Sequence, residues 1–141
     1  MTKPIITCLW FDGQAKAAAY FYCSVFKDSK ITSESAMVVA FELNGTKFMG
    51  LNGGSQFKFD EAISFVVNCD TQEEIDYYWD KLIAEGGQES LCGWLKDKFG
   101  VSWQIVPSMI AELMSNPTKA ERVVKAFMGM RKLDIEILKN A

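Results

Sequence analysis

A weak internal repeat constrains this chain more than any other feature. Ile6-Thr7-Cys8-Leu9-Trp10 can be laid on Ile63-Ser64-Phe65-Val66-Val67, an offset of 57. The same offset puts Tyr20-Phe21-Tyr22 on Tyr77-Tyr78-Trp79 and Val25-Phe26 on Leu82-Ile83. Further on, Gly45 falls on Gly100, Phe48 on Trp103 and Leu51 on Val106, an offset of 55. Two residues of slippage is an ordinary loop difference. The order of elements repeats more clearly than the letters do.

Each half opens with a short run rich in β-branched and aromatic residues, Ile5 to Phe11 and Ala62 to Asn68, which reads as a strand. A helix follows. In the first half it spans about Gln14 to Phe26, with Asp12 as the expected cap and an Ala-rich first turn. In the second, Asp70 is the expected cap and Glu73 completes a capping-box-like start. That helix runs to about Glu85 and stops at Gly86-Gly87. Ile75, Tyr78, Trp79 and Leu82 give it one apolar face. Three short strands then follow in each half: Ser29–Ser35, Met37–Leu43 and Lys47–Asn52, and Gly87–Ser90, Cys92–Lys96 and Ser102–Val106. Asn44-Gly45 is the dipeptide of a two-residue type I′ hairpin. Residues 53–61 form a Gly-rich linker, read either as a flap or as a loop with its phenylalanines tucked in. Beyond Pro107 a helical tail is expected, with Val124, Phe127 and Met130 as a candidate contact face.

Composition narrows the chemistry. The 141 residues suit a single domain with a real core, and 49% are hydrophobic. Eighteen acidic against fifteen basic residues leave a net charge of −3, so there is no cation excess for nucleic acid. There is no histidine, which removes triads, Cys-His dyads and imidazole metal ligands together. Cys8, Cys23, Cys69 and Cys92 show no CxxC spacing and read as reduced structural thiols. No apolar run is long enough to span a bilayer, and MTKPIITCLW lacks a signal-peptide core. A cytoplasmic location is expected.

Alternation sorts the strands by face. Ile6, Cys8 and Trp10, with Ile63, Phe65 and Val67, are expected against the helices. Ile5, Thr7 and Leu9, with Ala62, Ser64 and Val66, are expected on the opposite face. Phe48 and Trp103 go to the helix side, leaving Lys47, Met49, Leu51, Ser102, Gln104 and Val106 on the other.

The stretches LWFDGQAKAAAYFYCSVF, FELNGTKFMGLNGG, AISFVVNCDTQEEIDYYWDKL and CGWLKDKFGVSWQIVP resemble the PhnB-like family. That family is often labelled 3-demethylubiquinone-9 3-methyltransferase and belongs to the vicinal oxygen chelate superfamily of glyoxalases, extradiol dioxygenases and bleomycin-resistance proteins. The resemblance implies an α+β fold: tandem βαβββ modules forming a curved mixed sheet cup, with extra C-terminal helices, the glyoxalase/bleomycin resistance-like fold. The expected organisation is one domain over 1–141, with module 1 about 1–54, module 2 about 60–107 and a tail over 108–141. A homodimer is implied as well. Enzymes of the superfamily place metal ligands at positions that become Ile5, Met49, Ala62 and Gln104. Only the Gln104 amide offers a polar oxygen among these, so no metal and no cofactor is expected. The methyltransferase label finds no GxGxxG loop to hold S-adenosylmethionine.

The expectation is a metal-free small-molecule-binding protein, with ligand in a cup lined by Thr7, Leu9, Met49, Leu51, Ser64 and Gln104, and Asn52 and Trp94 near the rim. A cup filled by its own side chains is the competing reading. The alternative function is an enzyme acting on a small, aromatic or quinone-like substrate, for which Lys47, Glu42, Asp97 and Cys92 are the candidate groups. No catalytic residue is assigned.

Overall fold

Each half folds as a strand, a helix and three strands. The computed structural model describes residues 3–141 and divides into two units, the first ending at Lys58 and the second beginning at Phe59. The first holds β1 (Thr7–Phe11), α1 (Ala15–Val25), β2 (Ser29–Glu34), β3 (Val38–Leu43) and β4 (Thr46–Asn52). Its sheet runs β1-β4-β3-β2, with β1 parallel to β4 and the rest antiparallel. The second holds β5 (Ser64–Cys69), α2 (Gln72–Ile83), β6 (Gln88–Glu89), β7 (Trp94–Lys96) and β8 (Ser102–Pro107), ordered β5-β8-β7-β6 by the same rule. Each unit thus supplies an open four-stranded mixed sheet. The parallel pairing follows from the helix between β1 and β4, and between β5 and β8, since parallel neighbours need a long crossover.

In the first unit Leu9, Phe11, Val39, Phe41, Leu43 and Phe48 are buried with Ala15, Ala18, Ala19, Tyr22 and Val25 of α1. Tyr22 and Phe41 lie 6.2 Å apart, and Phe41 and Phe48 5.4 Å, both stacked. Asn44 (φ 49°) and Gly45 (φ 83°) close the β3–β4 hairpin in the left-handed conformation that a type I′ turn requires. The cap of α1 departs from expectation. Its N-cap residue is Gln14, with no side-chain bond, and Asp12 does not serve. The Ala15 N–H instead donates to Asn52 Oδ1 at 2.9 Å, so the last strand caps the helix.

In the second unit Ile75, Trp79 and Leu82 of α2 are buried with Leu95, Trp103 and Ile105. The N-cap is Thr71, not Asp70. Thr71 Oγ1 accepts from the Glu74 N–H at 3.2 Å, and the Glu74 carboxylate accepts from the Asp70 N–H at 3.1 Å. This is a capping-box-like start one residue later than the one expected from Asp70 and Glu73, with the carboxylate reaching the N–H just before the cap. The tail forms α3 (Ile110–Met114), α4 (Pro117–Met128) and α5 (Ile135–Lys139) and is stitched to α2. Gln72 Nε2 donates to the Leu133 carbonyl at 3.0 Å, while its Oε1 accepts from the Ile135 N–H at 2.9 Å. Phe127 and Met130 pack on Val123, Leu133 and Leu138, so these two members of the expected contact face serve the unit's own core.

Candidate functional site

The face of each sheet away from its helix carries the candidate residues. In the first unit β4 alternates as expected. Phe48 and Gly50 face α1, and Met49 and Leu51 face away. The β1 assignment is inverted. Cys8 pairs with Met49 and Trp10 with Leu51, so Cys8 and Trp10 share the open face. Leu9, only 6% exposed, sits in the helix-side core, and Thr7 shares that side through its pairing with Phe48. Thr7 and Leu9 are therefore removed from the candidate wall. The cause lies in the repeat. Thr7 pairs with Phe48 as Phe65 pairs with Trp103, so the first strands are offset by 58, not 57. The helices keep 57, with buried Ala18, Tyr22 and Val25 matching Ile75, Trp79 and Leu82. The loop before α1 is one residue longer than the loop before α2, and one residue reverses every side chain of a strand.

A cavity of 380 Å³ opens on this face, lined among others by Ile6, Thr32, Ala40, Glu42, Lys47 and Met49. Its wall is mostly apolar. Glu42 pairs with Lys30 at 3.5 Å. Lys47 forms no ion pair among the described residues and is exposed beside Glu42. Trp10 is held by its own loop. Its Nε1 donates to the Gly54 carbonyl at 2.8 Å, and its ring meets Phe57 edge-on at 5.0 Å. A Cβ on Gly53 would collide with the Trp10 ring, so glycine is required there. The linker's Phe57 thus meets Trp10 at one edge while staying 65% exposed. Asn52 is committed to the scaffold: besides capping α1, its Nδ2 donates to the Ala36 carbonyl at 3.0 Å.

In the second unit the expected alternation holds. Phe65, Trp103 and Ile105 face α2; Ser64 and Gln104 face away and bond to each other, Gln104 Nε2 donating to Ser64 Oγ at 2.9 Å. Trp94 pairs with Gln104 across β7 and β8 and shares this face. The row beside it is entirely polar: Gln88, Lys96, Ser102 and Ser64 lie in register on β6, β7, β8 and β5. A 210 Å³ cavity reaches Lys96 and Ser102, and also Glu61 and Ser90. This row is within reach of the sequence, whose alternation puts Ser102 and Ser64 on that face.

Of the candidate groups for an enzyme, the Asp97 carboxylate is committed to the fold. Asp97, 3% exposed, accepts from the Phe99 and Val101 N–H groups at 2.8 and 3.1 Å through Oδ1, and from Trp103 Nε1 at 2.9 Å through Oδ2. It organises the β7–β8 turn. Cys92 has a left-handed backbone (φ 60°), and its N–H donates to the Met130 carbonyl at 2.7 Å. Burial, aided by Glu74 and Asp70, pushes the Cys69 thiol up to about 12, so it stays protonated and unreactive. All four cysteines are free. Among the described residues no three His, Cys, Asp or Glu side chains gather as a metal-binding group. With β1 reversed, Ile5 leaves the open face and Ile6 takes its place; Ile6, Met49 and Ala62 have no side-chain oxygen or nitrogen to offer a hard cation, and the Gln104 amide is bonded to Ser64. These positions do not fit the metal that the superfamily's enzymes hold there. No described helix is long and apolar enough to cross a membrane.

Comparison with known proteins places this arrangement. Residues 3–106 match the family described as 3-demethylubiquinone-9 3-methyltransferase. A Bacillus cereus PhnB protein, described as a candidate 3-demethylubiquinone-9 3-methyltransferase, is 34% identical, with a TM-score of 0.68 over 74% of this chain and 99% of that one. A glyoxalase-related enzyme from Fulvimarina pelagi shares the fold at 16% identity, with a TM-score of 0.59 over 78% of this chain and 91% of its own. The fosfomycin resistance protein FosX from Listeria monocytogenes does so at 13% identity, with a TM-score of 0.59 over 82% and 97%. No curated protein matched the chain. With the family's pattern running through both sheets, the chain belongs to the PhnB-like, 3-demethylubiquinone-9 3-methyltransferase family and has the glyoxalase/bleomycin resistance fold.

Proposed function

We propose that this chain is a metal-free small-molecule-binding protein whose ligand is an apolar or aromatic molecule bearing an anionic group. The observation that carries the reading is the first unit's cavity. Its 380 Å³ lies within the roughly 300–1,000 Å³ of ordinary ligand pockets. Apolar Ile6, Ala40 and Met49 supply contact area, and Lys47 supplies one cation for a carboxylate or phenolate. The metal-free part rests on the donor chemistry at Ile6, Met49, Ala62 and Gln104. The four free cysteines suit a reducing, cytoplasmic setting. Methyl transfer, which the family's description names, draws no support from the mixed four-stranded sheets, because adenosylmethionine enzymes of the usual kind use a doubly wound parallel sheet. Self-association into a homodimer belongs to the same proposal. Light scattering at micromolar concentration tests it, a 15.9 kDa species being the contrary result.

Benzoate is the probe for the cavity. Calorimetry should show saturable binding, weakened about five- to tenfold by Lys47→Gln and abolished by Ala40→Phe, which fills the space without touching the helix-side core. Equal benzoate affinity in the wild type and the Ala40→Phe protein would refute the site. Elemental analysis finding about one zinc, nickel, manganese or iron per chain would refute the metal-free reading.

A further inference from the structure

We infer that the second unit carries its own polar binding site, for a compact molecule bearing both an ammonium and a carboxylate. Its lining residues all belong to the second unit. Its floor is Ser102. This residue is 1% exposed, and its Oγ has no hydrogen-bond partner. An unsatisfied buried hydroxyl is costly, and such groups are rare in native folds. Ser102 lines the 210 Å³ cavity, which offers room for about seven waters at their share of liquid volume. Register sets its neighbours. Lys96 stands beside it on β7 and Ser64 on β5, with Gln88 beyond Lys96 on β6.

Three charged groups also line the cavity, and one of them, Glu89, is engaged, its carboxylate accepting from Trp79 Nε1 at 3.3 Å. Lys96 Nζ is ion-paired with the Glu61 carboxylate, and both side chains are partly exposed. A ligand with only an anionic group would draw Lys96 away and leave Glu61 unpaired. A ligand with only a cation would do the reverse. A molecule that carries both charges inserts between them and gives each a new partner. Its carboxylate can then accept from the Ser102 hydroxyl and from Lys96, which satisfies the orphan donor with a charged acceptor. A free α-amino acid with a small side chain has this chemistry and this size.

The test uses the full chain and three probes: L-alanine, acetate and ethylamine. Ligand-observed NMR titration should show saturable L-alanine binding, at least tenfold tighter than either single-charge probe. Ser102→Ala should weaken L-alanine at least fivefold while the melting temperature stays the same or rises, because the substitution removes an unsatisfied hydroxyl. Lys96→Gln, at a partly exposed position, should weaken it as much. The Ala40→Phe variant should bind L-alanine normally, which keeps this outcome apart from the fate of the benzoate cavity. The inference is overturned if L-alanine binds no tighter than acetate, as expected of a cavity that holds water only, or if both variants keep wild-type affinity.

Discussion

On the open face of the first sheet, Cys8, Met49 and Ala40 lie side by side across three strands; the equivalent row of the second sheet is Val66, Gln104 and Trp94. One row further, Glu42 and Lys47 in the first sheet answer to Lys96 and Ser102 in the second. The helix-side rows differ far less, with aromatic Phe48 and Trp103 at matching places and both buried. Packing against a helix fixes size and polarity, because a buried change of one methylene is felt. The open face carries no such constraint. Two copies of one plan have kept the same core and diverged where a ligand would sit, apolar in one and polar in the other.

The largest test of this comparison is the offset between the copies. If β1 is offset by 58, Leu9→Ala cuts into the core and should cost about 3 kcal/mol, the usual scale for Leu→Ala. Cys8→Ala, one residue away on the open face, should stay within about 0.5 kcal/mol. Urea denaturation of the two variants decides it, and a reversed order would restore the offset of 57. A smaller effect separates the two β-turns. The first unit closes its turn locally with Asn44-Gly45, whereas the second relies on the Asp97 carboxylate and its three bonds. Asp97→Asn turns an amide N–H toward one of those donors and should cost about 2 kcal/mol. Asn44→Ala should cost about 1 kcal/mol, the strain of a left-handed backbone. Equal losses in thermal unfolding would erase that distinction.

Smallest is the contrast in helix caps. Thr71→Ala removes a local capping box and Asn52→Ala a cap supplied from β4, each worth about 1 kcal/mol. Asp12→Ala and Asp70→Ala should leave the unfolding midpoint nearly unchanged. A loss at Asp12 matching that at Asn52 would return the cap to the residue that sequence reasoning favours.

These contrasts also show how far the sequence could be read. The repeat, the order of elements and the Asn44-Gly45 turn were legible because each rests on near neighbours. The second sheet's faces were legible as well, since Phe65 and Trp103 differ plainly in bulk from Ser64 and Ser102. The face of β1 was not. TCLWF carries large residues on both sides, so size could not choose between them, and the helix offset chose wrongly. The cap that Asn52 lends Ala15 crosses 37 residues and leaves no local trace. The orphan hydroxyl of Ser102 is a fact of burial, and nothing in the letters SWQIVP distinguishes it from a solvated serine.

The stitching of Gln72 to Leu133 and Ile135 has a consequence in time. During synthesis every strand and helix of the first unit exists once Asn52 has been added. The α2 helix must wait for residues 61 and 63 positions further along before both ends of the Gln72 amide are bonded. At about 5–20 residues per second that is a delay of roughly 3–13 s. Through that interval the residues around Val123 lack the cover that Leu133 and Leu138 later provide. The two halves of one repeated plan therefore mature on different clocks, and the later one is the half most exposed to wrong partners while it is being made.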